Sequence, residues 1–229
     1  MLKQFLKILS IFLIGFLGGA LSHQIFLSFF LKTQPQPIQV IERREVKIQE
    51  NVALQEAIEK AQKRVIFLQT KTKTKTISGC GFILTSDGLA ITLNQLIPAG
   101  SQTEIFFDGS KIPFQVLKRD QKENLVLLKL EGKNFPTLPF GDLENISIGE
   151  RVFLVCSFSD REKIQNFANE GLIKTFNEET IITNIIEEEK ALGSPLFDIE
   201  GKFLGLSQLD KTGKIIVVPI SKIRSFANL

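Results

Sequence analysis

The sequence predicts an all-β protein built as two small β-barrels, preceded by an N-terminal membrane helix and a short amphipathic helix. Three observations carry this. Residues from about Ile8 to Leu31 are mostly apolar, broken by Ser10, Ser28 and the cluster Ser22, His23 and Gln24, and an α-helix needs about 20 apolar residues to cross a bilayer. From Val65 onward, short apolar segments are separated by turn signals such as Ser86-Asp87-Gly88 and Asp108-Gly109-Ser110, the pattern of a sandwich or of barrels. A looser stretch, Glu131 to Pro139, holds Gly132, Pro136 and Pro139 and divides those segments into two sets.

Residues 1–32 read as the anchor. Lys3 and Lys7 precede the apolar run and Lys32 closes it, which favours a cytoplasmic N-terminus with the folded part outside. The rival is a signal peptide cleaved at Ala20-Leu21-Ser22; the new N-terminus, from His23, would still be strongly apolar, so the uncleaved anchor is preferred. Both readings export the domain. His23 has no acidic partner in the anchor and carries no functional assignment. Residues 33–63 are a linker, Thr33 to Pro37, and then a helix. Val52, Ala53, Leu54, Ala57, Ile58 and Ala61 recur at helical spacing, with Glu56 and Lys60 at i,i+4.

Residues 64–229 form the barrel domain, barrel one over about 64–131 and barrel two over about 138–229. Strands are expected in barrel one at Val65–Leu68, Cys80–Leu84, Leu89–Thr92, Thr103–Phe107, Lys111–Leu117 and Leu125–Leu130. The strict alternation of Lys71 to Thr76 places three lysines on one face of an exposed strand edge. Barrel two should hold strands at Val152–Ser157, Gly171–Thr175, Thr180–Ile186, Phe203–Gln208 and Ile215–Val218, with a closing helix over Ile220–Leu229.

Composition excludes several functions. The net charge is only +3, from 28 basic and 25 acidic residues, which gives no reason to invoke nucleic acid. One histidine and no Cys-x-x-Cys leave no metal site, and no motif calls for a cofactor. Cys80 and Cys156 could form one disulfide in a domain outside the cytoplasm. Two cysteines do not make a framework, however, and two buried thiols are the preferred reading.

Five ordered blocks carry a family resemblance. Gly79-Cys80-Gly81-Phe82-Ile83-Leu84 is followed by Ser86-Asp87-Gly88. Then come Ile91-Thr92-Leu93-Asn94-Gln95-Leu96-Ile97 and Asp120 to Leu130. Leu138-Pro139-Phe140-Gly141-Asp142 precedes Ile148-Gly149-Glu150. Last is Thr183 to Leu196, which ends Leu192-Gly193-Ser194-Pro195-Leu196. Together these resemble the HtrA-like (DegP-type) serine proteases, a family of the trypsin-like (chymotrypsin) fold with two six-stranded-type barrels. The resemblance implies a His, Asp and Ser triad. At the matching positions this chain has Gln95, Asn124 and Leu192.

The chemical consequences are direct. An amide at Gln95 does not titrate near neutral pH and is no general base. Asn124 is neutral and has no imidazole to orient. Leu192 has no nucleophilic atom. In the family's oxyanion loop, Gly193 is kept but the glycine two before the serine is Lys190, whose side chain disfavours the backbone conformation glycine permits. Glu187, Glu188 and Glu189 would oppose a developing oxyanion. A Ser194–Lys190 dyad can be written down but demands a geometry that drift seldom supplies. The expected protein is therefore a membrane-anchored, extracytoplasmic pseudoprotease. It would bind proteins or unfolded polypeptides, without cofactor or metal, as a monomer or a homo- or hetero-oligomer. The alternatives are an active serine endopeptidase of envelope quality control, or an inactive subunit of an active paralogue. The chain runs 33 residues past Leu196 (229 − 196), so the PDZ domain of many relatives is expected to be absent.

Overall fold

The structure, a computed structural model, describes residues 2–30, 46–160 and 163–229. The linker expected at Thr33–Pro37, and residues 38–45 of the stretch read as helical, lie outside the described residues. The chain divides into two compact units, residues 1–44 and 45–229.

In the first unit, helix α1 (Leu2–Phe30) contains a 24-residue apolar stretch, Lys3–Phe26, of mean hydropathy 2.0, long and apolar enough to cross a membrane. The second unit opens with α2 (Val46–Gln62). Ala57 and Ala61 are buried in the main core, with Leu54 and Ile58 packed against it, while Val52 is exposed. The Glu56–Lys60 pair forms at 3.8 Å on the solvent side.

Seven strands make the first barrel layer: β1 (Val65–Lys71), β2 (Thr76–Ile83), β3 (Leu89–Leu93), β4 (Gln102–Phe107), β5 (Ser110–Ile112), β6 (Phe114–Asp120) and β7 (Leu125–Leu130), in the spatial order β5-β4-β1-β2-β3-β7-β6. The two end strands of this sheet are consecutive in the chain, joined by Pro113 alone. Proline has no N–H to give to a ladder, so the single strand expected over Lys111–Leu117 is broken there. Its halves pair with different neighbours, β4 and β7, and this curls the sheet round on itself.

The alternating lysines correct an expectation. Lys71 ends β1 and pairs with Thr76 at the start of β2, so the residues between are the hairpin loop, not a strand face. Thr72 closes that loop: its hydroxyl donates to the Lys75 carbonyl at 2.6 Å and accepts the Lys75 N–H at 3.0 Å. A threonine side chain that bonds its own backbone locally competes with the extended ladder.

The second barrel is closed by six strands: β8 (Arg151–Asp160), β9 (Lys163–Phe176), β10 (Ile181–Ile186), β11 (Pro195–Asp198), β12 (Phe203–Leu209) and β13 (Lys214–Pro219), in the order β10-β13-β12-β11-β8-β9 with β9 and β10 completing the ring. Strands β8 and β9 are longer than the sequence suggests, and the four-residue β11 was not anticipated. Helix α3 (Ile220–Ala227) then buries Ile223 and Phe226. Phenylalanines weld the barrels together. Phe82 of β2 stacks on Phe203 of β12 with ring centroids 4.2 Å apart and meets Phe197 of β11 edge-on at 5.6 Å.

The cysteines require a second correction. Cys80 of β2 and Cys156 of β8 form a disulfide, with Cα atoms 5.8 Å apart, within the usual bridging distance. The expectation of two buried thiols fails because the fold sets β2 against β8, bringing together residues 76 positions apart. Both are wholly buried, as that reading required.

Candidate functional site

A cleft of about 980 Å³ runs along the barrels and is lined by Lys75, Gln95, Leu96, Glu187, Lys190 and Leu192 among others. Gln95 sits in a single 3-10 turn, Asn94–Leu96, directly after β3. Asn124 lies in the turn before β7 with φ +57°, a left-handed conformation that asparagine accepts more readily than most residues. The β3–β7 ladder pairs Leu93 with Leu125 and so sets the two turns side by side. The Gln95 N–H donates to Asn124 Oδ1 at 3.0 Å, and the Asn94 N–H donates to the Asn124 carbonyl at 2.9 Å. Arg119 braces the same turn, donating to Asn94 Oδ1 at 2.9 Å and to the Ile97 carbonyl at 2.6 Å.

Leu192, half-buried, lines the same cleft from barrel two. The residues before it, Glu189–Ala191, wind into a 3-10 turn. Within that turn the Ala191 N–H donates to the Glu188 carbonyl at 2.9 Å and the Leu192 N–H to the Glu189 carbonyl at 3.1 Å. An oxyanion site needs backbone N–H groups aimed at the reacting atom. The Leu192 N–H is already committed inside its own loop. Gly193 follows at φ +73°, where a β-carbon would collide with the Cys80 carbonyl, and its N–H donates to the Ser207 carbonyl at 2.9 Å. The Cys80 N–H in turn donates to the Leu192 carbonyl at 2.8 Å.

Lys190 stands inside the 3-10 turn. Its Nζ lies over the rings of Phe158, at 5.6 Å, and Phe167, at 5.4 Å, and is 3.5 Å from Glu188. Such cation–π contacts hold a long side chain in one direction. Ser194 Oγ is fully buried without a hydrogen-bond partner, so no Ser194–Lys190 dyad is assembled. Glu187 accepts from Asn169 Nδ2 at 2.7 Å.

Gln95 and Asn124 are thus in direct contact, and Leu192 and Lys190 line the cleft with Gln95. The cleft presents a neutral amide and an aliphatic side chain, Gln95 and Leu192. The chain's single histidine, His23, belongs to α1. Among the described residues, no group of three or more His, Cys, Asp or Glu is placed to hold a metal. The disulfide beside the Lys190–Gly193 loop is the alternative that sequence reasoning ranked second; no local spacing could decide it.

A curled seven-stranded half-barrel and a closed six-stranded barrel, rather than the two six-stranded barrels expected, with a cleft lined from the turn after β3 and the loop before β11, define the trypsin-like class of fold. The chain belongs to the trypsin-like peptidase domain family, whose family model matches residues 79–206. Within it, the chain is similar to HtrA-like proteases. It is 27% identical over 135 residues to a "Probable periplasmic serine endoprotease DegP-like" of Pseudomonas putida, covering 56% of this chain and 28% of that one. Over 172 residues it is 28% identical to "Serine protease HTRA1" of Xenopus tropicalis, covering 68% and 36% respectively. A DegP-like protein of Chlamydia pneumoniae is 23% identical over 143 residues, or 58% and 29%. The chain spans about a third of the length of these curated relatives.

Proposed function

We propose that this chain is a catalytically inactive HtrA-like protein that binds polypeptide, with its folded domain outside the cytoplasm and tethered by α1. The observation that carries the reading is the state of the loop at Leu192. The residue at the matched nucleophile position has no nucleophilic atom, and its N–H is spent on the Glu189 carbonyl at 3.1 Å. Gln95 and Asn124 supply two amides where the family needs a base and its orienter. Losing the whole triad removes most of the rate such a site provides. Extracytoplasmic placement draws on α1, on the disulfide, which persists in oxidising compartments, and on the similarity to periplasmic DegP-like proteins.

The test uses the full chain in detergent with unfolded, fluorescently labelled casein. Saturable binding without cleavage, and no labelling by serine-directed phosphonates, is the expected result. Stoichiometric phosphonate labelling that disappears in Ser194→Ala would overturn it.

A further inference from the structure

We infer that the Cys80–Cys156 bond is made by thiol–disulfide exchange before the two barrels dock, and that it then holds the Lys190–Gly193 loop in its closed form.

The first half follows from burial. Both cysteines are fully inaccessible in the folded domain. Exchange requires a thiolate to reach a sulfur of the donor disulfide and a second thiolate to resolve the mixed disulfide. Neither event can occur at sulfurs sealed between β2 and β8. The bond therefore forms while the barrels are still apart. The two cysteine thiols give up two protons and two electrons to a donor R–S–S–R, which leaves as two R–SH. A disulfide-donating thiol oxidant must act on this chain upstream of its final folding step.

The second half follows from what touches the bridge. The Cys80 N–H is bonded to the Leu192 carbonyl at 2.8 Å, and the Cys80 carbonyl lies against Gly193, where not even a β-carbon fits. Cys156 Sγ is 3.3 Å from the Lys190 carbonyl, and the Ser157 N–H reaches Cys80 Sγ at 3.0 Å. Two unbonded sulfurs must separate well beyond the bonded distance of about 2.05 Å. The space around them is filled, and the groups against the sulfurs, the Ser157 backbone and the Lys190 carbonyl, must yield, which disturbs the turn that carries Leu192.

Three measurements on the full chain test this. In native membranes quenched with acid and then dissolved in denaturant, maleimide should label no cysteine before reduction and both afterwards; free thiols would overturn the proposal. Reduced, denatured chain is then refolded with oxidised glutathione, added either at the start or after folding is complete. Early addition should give the disulfide, and late addition should leave two thiols that maleimide cannot reach. Equally fast bond formation in both cases would show that docking does not seal the site. Finally, in the chain refolded without oxidant, which keeps both thiols, hydrogen exchange at the Leu192 and Gly193 amides should rise about tenfold or more over the oxidised chain, while Val126 and Leu128 in β7 stay protected. Unchanged exchange at the loop would overturn its dependence on the bridge, as would an equal rise throughout the domain.

Discussion

The backbone N–H of Gln95 donates to the side-chain oxygen of Asn124 at 3.0 Å. An aspartate at position 124 would offer an oxygen in the same place, and the left-handed backbone there suits either residue. Gln95 itself is exposed at the cleft. The relationship ties the two turns together whichever residues the chemistry uses, so restoring the family's residues at these positions should leave the fold intact.

Gln95→His, Asn124→Asp and Leu192→Ser combined should give a folded protein with little or no peptide hydrolysis. Leu192→Ser removes half-buried apolar volume and should cost about 1–3 kcal/mol. The Leu192 N–H remains engaged within its loop, and losing one oxyanion donor costs ~100–1000-fold in turnover. Adding Lys190→Gly removes the contacts with Phe158 and Phe167 that hold the turn. It should raise the residual rate more than any other fourth change. A fluorogenic peptide assay reads both variants; vigorous cleavage by the triple variant would show that the loop opens freely.

Removing the disulfide should destabilise the domain strongly. A bridge spanning 76 positions constrains a large loop in the unfolded chain, by about 4 kcal/mol on the chain-entropy estimate. Urea unfolding of Cys80→Ala/Cys156→Ala against the oxidised parent measures this. A loss under about 1 kcal/mol would mean that the phenylalanine contacts alone hold the barrels together.

Lys222 of α3 clamps two turns at once, pairing with Glu123 at 2.6 Å and with Glu179. Hydrogen bonds to Glu123 and then Glu179 raise the Lys222 pKa, and the bond to Lys222 lowers that of Glu179. The raised lysine contributes stability below its unfolded value of about 10.4, lost as pH climbs through the higher folded value. The lowered glutamate contributes above about 4.3, lost as pH falls through the lower folded value. The stability gap between the parent and Lys222→Met should therefore be flat from about pH 5 to pH 10 and close at both extremes. Urea midpoints across that range measure it; a gap that peaks at either extreme would contradict the pairing.

A C-terminal alkaline phosphatase fusion should be active in cells and fractionate with membranes, given Lys3 and Lys7 ahead of the apolar stretch of α1. A fusion active only in the cytoplasm would reverse the orientation. A mature protein starting at His23 would remove the tether while leaving export in place.

The sequence by itself determined the barrel class, the apolar helix, the packing face of α2 around Ala57 and Ala61, and the identity of the groups at 95, 124 and 192. Periodicity and residue chemistry are local properties, and an amide or an isobutyl group has the same reactivity wherever the chain places it. The tertiary structure decided what depends on distant partners. Cys80 and Cys156 bridge because the fold sets β2 against β8. The lysines of the β1–β2 loop leave the ladder because Thr72 caps their turn, and one expected strand is split at Pro113 to serve two neighbours. β11 emerges only between β8 and β12. The direction of the Leu192 N–H, turned to the Glu189 carbonyl, rests on contacts from Cys80, Ser207, Phe158 and Phe167, which lie in other parts of the chain. Backbone direction in a loop is set by whatever packs against it, and local sequence carries little of that information.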